Sequence, residues 1–145
     1  NSTVYKTNTQ QYTEKLKQLD EEFKNTVKGA KSNTLIFADR FPARYFTEQY
    51  NLKFFAAFPG CADQTEPSSA TLAYITDKVK LQKVKYVFYI EFSNQKIADV
   101  VCEQTGAKKL MFNSCHNVTA QQFKKGITYL DLMRQNLKNV TEAIN

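Results

Sequence analysis

From Tyr12 onward, Leu16, Leu19, Phe23 and Val27 recur at steps of three and four residues, which places them on one stripe of a long helix. Gly29 is positioned to end it. Thr34 to Ala38 is a short apolar run of the kind that forms a buried strand, and Pro42 suits the first position of a helix carrying Tyr45 and Phe46. Phe54 to Phe58 reads as a second strand, closed by Pro59-Gly60. Thr65-Glu66-Pro67 then opens a helix that continues through Val79. Tyr86 to Ile90 is the clearest strand of all. After it, Ser93 or Asn94 caps a helix holding Ile97, Val100 and Val101, which Gly106 stops before Leu110-Met111-Phe112. Thr119 and Gln122 have capping-box spacing ahead of an amphipathic C-terminal helix built on Ile127, Leu130, Met133 or Leu137, Val140 and Ile144, with Gly126 placed to break it in two.

A helix followed by repeated strand–helix units predicts an α/β fold: a four-stranded parallel sheet with helices on both faces, preceded by a long N-terminal helix. Parallel neighbours need crossover helices, and the pattern supplies one between each pair of strands. No internal repeat, linker or low-complexity tract interrupts it. With 145 residues, 42% hydrophobic, and only 4 Gly and 3 Pro, the chain is sized and composed for one folded domain.

The formal charge of +6 permits attraction to nucleic acid or an anionic membrane. The lysines, however, are dispersed over helix ends and faces, and no arginine cluster or nucleic-acid motif accompanies them, so a nucleic-acid partner is not expected. No apolar run approaches the length of a membrane span, and no charged-then-apolar leader opens the chain. The expectation is a soluble piece whose export signal or lipid anchor lies upstream.

In an open parallel sheet, ligands bind beyond the carboxyl ends of the strands. That rule selects Asp39-Arg40, Cys61 to Glu66, Glu91, and Asn113-Ser114-Cys115-His116. His116 is the single histidine and the candidate transition-metal ligand; Asp39 and Glu66 are candidate oxygen ligands. Each has a plainer reading. A lone histidine is ordinarily a loop residue, Asp39 can pair with Arg40, and Glu66 can favour a helix start. Cys61, Cys102 and Cys115 lack the close spacing of a structural zinc site; Cys102 falls in a helical apolar pattern and reads as a small buried hydrophobe. Cys61 and Cys115 both follow strand ends, as ligands or as a disulfide in an exported protein. Cys115 beside His116 also has the composition of a thiol nucleophile with its base, and Asp39 of a phospho-acceptor. Against catalysis, there is no Gly-rich phosphate loop, no GxSxG turn and no dense acidic cluster.

Asn8 to Tyr12 through Leu19-Asp20 resembles the interdomain helix of the zinc- and manganese-binding solute-binding lipoproteins of ABC transporters. Phe37-Ala38-Asp39-Arg40-Phe41 falls where that family commonly has Phe-His-Asp-Ala-Phe. Thr65-Glu66-Pro67-Ser68, Glu91-Phe92-Ser93, Thr105 to Lys108, and Thr128 to Met133 with Asn136-Leu137 follow its later landmarks in order. The resemblance implies that residues 1–30 form an interdomain connecting helix and residues 31–145 the C-terminal α/β lobe of a two-lobed protein whose N-terminal lobe is missing. It implies metal binding without catalysis and delivery to a membrane permease. The place would be the extracellular face of the cytoplasmic membrane or the periplasm, with membrane attachment only through an upstream lipid anchor.

The implied cargo is zinc, with manganese the alternative, held weakly or not at all by this lobe alone. His116, Asp39 and Glu66 are its expected ligands. Two departures bear on the site: Ala38 and then Asp39 stand where the family usually has a histidine or glutamate, and His116 replaces an aspartate after the fourth strand. A change from carboxylate to imidazole favours zinc over manganese. The exported context also implies a Cys61–Cys115 disulfide, leaving Cys102 buried and free. The competing functions are a metal-free surface adhesion or scaffold domain and a thiol-dependent enzyme using Cys115 and His116.

Overall fold

The computed structural model describes residues 2–60 and 67–145. Its elements are α1 (Ser2–Lys28), β1 (Thr34–Phe41), α2 (Arg44–Gln49), β2 (Lys53–Pro59), α3 (Ser69–Gln82), β3 (Tyr86–Ile90), α4 (Lys96–Thr105), β4 (Lys108–Phe112), α5 (Ala120–Lys124) and α6 (Tyr129–Ile144). The strands form one sheet in the order β2-β1-β3-β4, and every pairing is parallel. The expected α/β architecture is therefore present, with β1 and β3 at its centre.

The alternation of side chains along the central strands accounts for helices on both faces. Leu35 and Phe37 from β1 and Phe88 from β3 enter one core with Leu52, Phe112, Val140 and Ile144, on the side of α1, α2 and α6. Ile36, Ala38 and Val87 point the other way, toward Ile75, Val79, Ile97, Ala98 and Val101 of α3 and α4. Phe37 stacks on Phe88 at 5.3 Å and meets Phe112 edge-on at 5.5 Å, so aromatic packing crosses three strands on the first face.

Several boundaries differ from the sequence expectation for identifiable reasons. β1 runs on to Phe41 because its pairing with β2 shifts register between Phe37 and Arg40, a bulge that lets the strand continue past Ala38. Pro42 then precedes α2 without joining it. Ser68, following Pro67, is the N-cap of α3, and its hydroxyl accepts from the Thr71 N–H at 3.1 Å. Ser93 and Asn94 both steady the start of α4 by accepting from the N–H groups of Gln95 and Lys96, although the cap position itself is Gln95. Gly126, at φ 67°, separates α5 from α6 as expected, and each of those helices opens with a reciprocal capping box, Thr119/Gln122 and Thr128/Asp131.

Along α1 only Leu19 and Phe23 are buried. Phe23 stacks on Tyr50 at 5.2 Å and meets Phe46 edge-on at 5.1 Å; the Tyr50 hydroxyl donates to Asp20 at 2.8 Å, tying α1 to the end of α2. Lys24 and that hydroxyl together hold the Asp20 carboxyl below its ordinary range. Tyr12, by contrast, is 44% exposed, so the first half of α1 contributes little to this core. Phe23→Ala should cost about 3–5 kcal/mol in thermal or denaturant unfolding, whereas removing residues 2–15 should leave the isolated chain's melting nearly unchanged. Equal losses for the two variants would contradict this division of α1.

Candidate metal centre

The carboxyl ends of the strands form the face that the sequence selected. Arg40, Pro42, Ile90, Glu91, Phe92, Ser114, His116 and Asn117 line an open cleft there of about 210 Å³. Its polar side chains come from the ends of β1, β3 and β4, so three neighbouring strands set their spacing.

Glu91 is the most firmly placed of these groups. One carboxylate oxygen accepts from the Ser114 N–H at 2.8 Å, and the other accepts from the Ser114 hydroxyl in a very short contact. Ser114 Oγ also accepts from the His116 N–H at 3.3 Å, so the two cleft residues Glu91 and His116 share one positioning group. The His116 side chain is exposed, with its imidazole available to a ligand.

The loop bearing His116 is fixed from behind. Asn113 is buried, and its backbone N–H donates to Asn136 Oδ1 at 2.7 Å while its carbonyl accepts from Asn136 Nδ2 at 2.9 Å. One side chain from α6 thus replaces a strand partner for the residue just beyond β4.

Asp39 is placed differently from Glu91. It is 6% exposed, and its oxygens accept from the backbone N–H groups of Arg40 at 2.7 Å and Ile90 at 3.2 Å. The β1–β3 ladder has its pairing at Phe37 and Phe88, and beyond it the Asp39 carboxylate takes the place of a backbone acceptor for Ile90. The structure therefore brings Arg40, Glu91 and His116 together, with Asp39 beneath them as a tie between strands. Glu66 and Cys61, and with them the Cys61–Cys115 pairing, lie outside the described residues.

Cys115 sits in the left-handed region at φ 62°, and its thiol lies 3.7 Å from the Asn113 carbonyl without lining the cleft. Burial, reinforced by the Glu91 carboxylate, pushes this thiol up to about 11. A nucleophilic cysteine needs the opposite shift, so the Cys115/His116 pair lacks the electrostatics of a thiol enzyme. Cys102 is half-buried against the α3/α4 core, and burial raises its thiol as well.

The strand-end rule selected the positions of Glu91 and Arg40, but the expected ligand set of His116, Asp39 and Glu66 included neither. Both followed strand ends, and that position was the available signal; the hydrogen bonds from Ser114 that single out Glu91 come from a loop 23 residues further on. Among the described residues, no group of three or more histidine, cysteine, aspartate or glutamate side chains is arranged to hold a metal. The cleft is an open half-shell of donors.

Comparison with known proteins identifies this architecture. Residues 1–143 match the family model described as zinc-uptake complex component A, periplasmic. The chain belongs to that family. It is 29% identical to the high-affinity zinc uptake system protein ZnuA of Bacillus subtilis over 99% of its own length, and spans 44% of that relative. Among solved structures, it is similar to the metal-dependent lipoprotein YcdH of Bacillus subtilis (TM-score 0.84, 29% identity, 100% of this chain and 54% of that one). It is likewise similar to the Zn(II)-bound ZnuA-like domain of Streptococcus pneumoniae AdcA (TM-score 0.79, 29% identity, 98% and 52%). The long N-terminal helix and parallel sheet are shared features of this fold, and the family is one of zinc-uptake binding components.

Two measurements probe the site's construction. Asn136→Ala leaves the buried N–H and carbonyl of Asn113 unpaired and should cost about 2–5 kcal/mol in denaturant unfolding. A loss below about 0.5 kcal/mol, the range of ordinary surface substitutions, would mean that Asn136 does not secure the loop. In reduced protein, the alkylation rate of Cys115 at pH 8 should be about 100-fold below that of an ordinary exposed thiol and should keep rising through pH 10, because only the thiolate reacts. A plateau below pH 9, followed by mass spectrometry of the Cys115 peptide, would contradict the raised thiol.

Proposed function

We propose that residues 1–30 are the connecting helix and residues 31–145 the C-terminal lobe of a two-lobed solute-binding protein that carries zinc to an ABC permease. The observation that carries this reading is the convergence of Glu91 and His116 on one cleft at the carboxyl edge of the sheet, in a chain matched along nearly its whole length by the zinc-uptake family. His116 offers an imidazole nitrogen and Glu91 a carboxylate oxygen, a donor pair suited to zinc and, less well, to manganese. Asp39 serves behind them, and Glu66 remains a proposed further ligand.

A transport site for zinc takes about four ligands, so two donors on an open face call for others from an opposing lobe. The exposed apolar residues Val4, Tyr5 and Tyr12 along α1 support a second lobe packed against that helix, since such side chains gain by leaving water. Delivery to a permease needs capture and release but no bond-making. The expected location is the outer side of the cytoplasmic membrane, in the periplasm or at the cell surface, with attachment through a lipid anchor upstream of this chain.

Calorimetric zinc titration tests this directly. The isolated chain should bind at about micromolar strength or weaker, and the two-lobed protein orders of magnitude tighter. In the two-lobed protein, His116→Ala and Glu91→Gln should each weaken zinc binding by roughly 100-fold, about 2.7 kcal/mol. Undiminished affinity in His116→Ala would remove it from the ligand set, and absence of binding to any divalent metal would overturn the transport reading.

A further inference from the structure

Lysines that look dispersed along the sequence gather at the end of the sheet opposite the cleft. Because all four strands are parallel, every strand begins at that one edge, and the connections leading into them lie side by side. Lys31 precedes β1, Lys53 opens β2, Lys83 and Lys85 precede β3, and Lys108 opens β4; all five are exposed. Backbone hydrogen bonds fix their places: the Lys31 N–H donates to the Ile144 carbonyl at 3.1 Å, the Lys53 N–H to Asn33 at 2.8 Å, and the Lys108 N–H to Lys85 at 2.9 Å. With neighbouring strands about 4.8 Å apart, the row from β2 to β4 is only roughly 15 Å wide. The connecting residues 29–33, 50–52, 83–85 and 106–107 contain no aspartate or glutamate. The acids of this end are Glu103 and Glu142, in the last turns of α4 and α6, with Asp77 one turn further back on α3.

A lysine in the last turn of a helix, such as Lys28 or Lys80, serves the negative end of the helix dipole. Lys31, Lys53, Lys85 and Lys108 lie outside the helices, so that role does not account for them. Their mutual repulsion is relieved by an extended anionic partner. An apolar side chain stands among them: Leu81, in the last turn of α3 between Lys80 and Lys83, is 69% exposed. A dissolved polyanion offers that leucine nothing. An anionic lipid surface fits both features, because it presents phosphates to the lysines and a less polar layer beneath them to the leucine.

We infer that the amino edge of this sheet is a contact surface for an anionic phospholipid bilayer, which holds the domain with its cleft turned away from the membrane. The inference rests on the extracytoplasmic location proposed above for the bilayer that it meets. Cleft and basic edge are at opposite ends of the same parallel strands, so the cleft stays open to cargo while the edge is engaged. Handing cargo to a membrane permease then requires the domain to leave this contact.

Co-sedimentation of this chain with vesicles of mixed phosphatidylglycerol and phosphatidylcholine, against phosphatidylcholine alone, tests the inference. At low salt, binding to the anionic vesicles should be at least about 100-fold stronger, and it should fall steeply as salt screens the lysines. The triple variant Lys53→Gln, Lys85→Gln and Lys108→Gln should lose about 100-fold, from roughly 5-fold per lysine. A control triple of equal charge, Lys6→Gln, Lys15→Gln and Lys124→Gln, should lose less than about 3-fold, because those residues stand away from the edge. Leu81→Gln should weaken vesicle binding by about 5-fold while leaving binding to soluble polyphosphate unchanged, and thermal melting checks that each variant folds. Indifference to lipid charge, equal losses from the two triples, or vesicle binding by Leu81→Gln as tight as the parent's overturns the bilayer contact. Vesicle binding needs no zinc, so any of those results leaves the zinc reading standing, and a chain that binds vesicles but no divalent metal overturns only the zinc reading.

Discussion

Asn136 has no exposed surface, and its carboxamide both accepts from and donates to the backbone of Asn113. Three residues along α6, Asn139 donates to the Met111 carbonyl at 2.6 Å. β4 is an edge strand, so the backbone groups on its outer side have no neighbouring strand to pair with. Met111 and Asn113 are two residues apart and present their polar groups to the same side, where α6 meets them with two asparagines one helical turn apart. Buried peptide groups left unpaired are costly, and this pairing lets the helix cover the edge without that penalty. It also fixes the exit of β4, from which Ser114 and His116 follow directly.

The same solution recurs at the sheet centre with a carboxylate. Beyond the β1–β3 pairing at Phe37 and Phe88, Asp39 supplies an acceptor to Ile90 in place of a backbone carbonyl. The exits of β1, β3 and β4 are thus held by side chains acting as surrogate peptide groups. A cleft built on those exits inherits their rigidity, because Glu91 is joined to the β4 exit through Ser114 and Arg40 is joined to the β3 exit through Asp39. Positioned donors of this kind lose little freedom when a ligand arrives.

The fold was legible because its strongest signals are local. The apolar run from Tyr86 to Ile90 matches β3 to the residue, and Thr119/Gln122 and Gly126 mark the α5 boundary as their chemistry dictates. The bulge in β1 was not legible, since Arg40 and Phe41 belong to the strand only through pairing with β2. The buried face of α6 was harder still: Asn136 and Asn139 fall on the same face as Leu132, Val140 and Ile144, and nothing in their residue type distinguishes a buried clamp from a solvated amide. The site shows the same limit. The strand-end rule located His116 and Glu91 on one face, but whether a carboxylate faces the cleft or is consumed by backbone depends on partners distant in the chain. That distinction separates Glu91 from Asp39.

Polar satisfaction also suits the cleft to the role proposed for it, as one half of a site. Every side chain that secures it is already paired on the inner side, so the scaffold holds its shape without a ligand; the exposed His116 then stands over a fixed floor. A metal bound to this floor alone would keep most of its coordination with water and gain little over the hydrated ion. Donors arriving from an opposing surface would displace that water and act in a less polar enclosure, where the same contacts are stronger. On the proposed two-lobed reading, affinity is governed by closure rather than by rearrangement within this lobe, and opening the cleft is enough to weaken the hold on a metal. That proposed division suits capture and release: this domain supplies a constant geometry, and the approach of an opposing surface sets the strength.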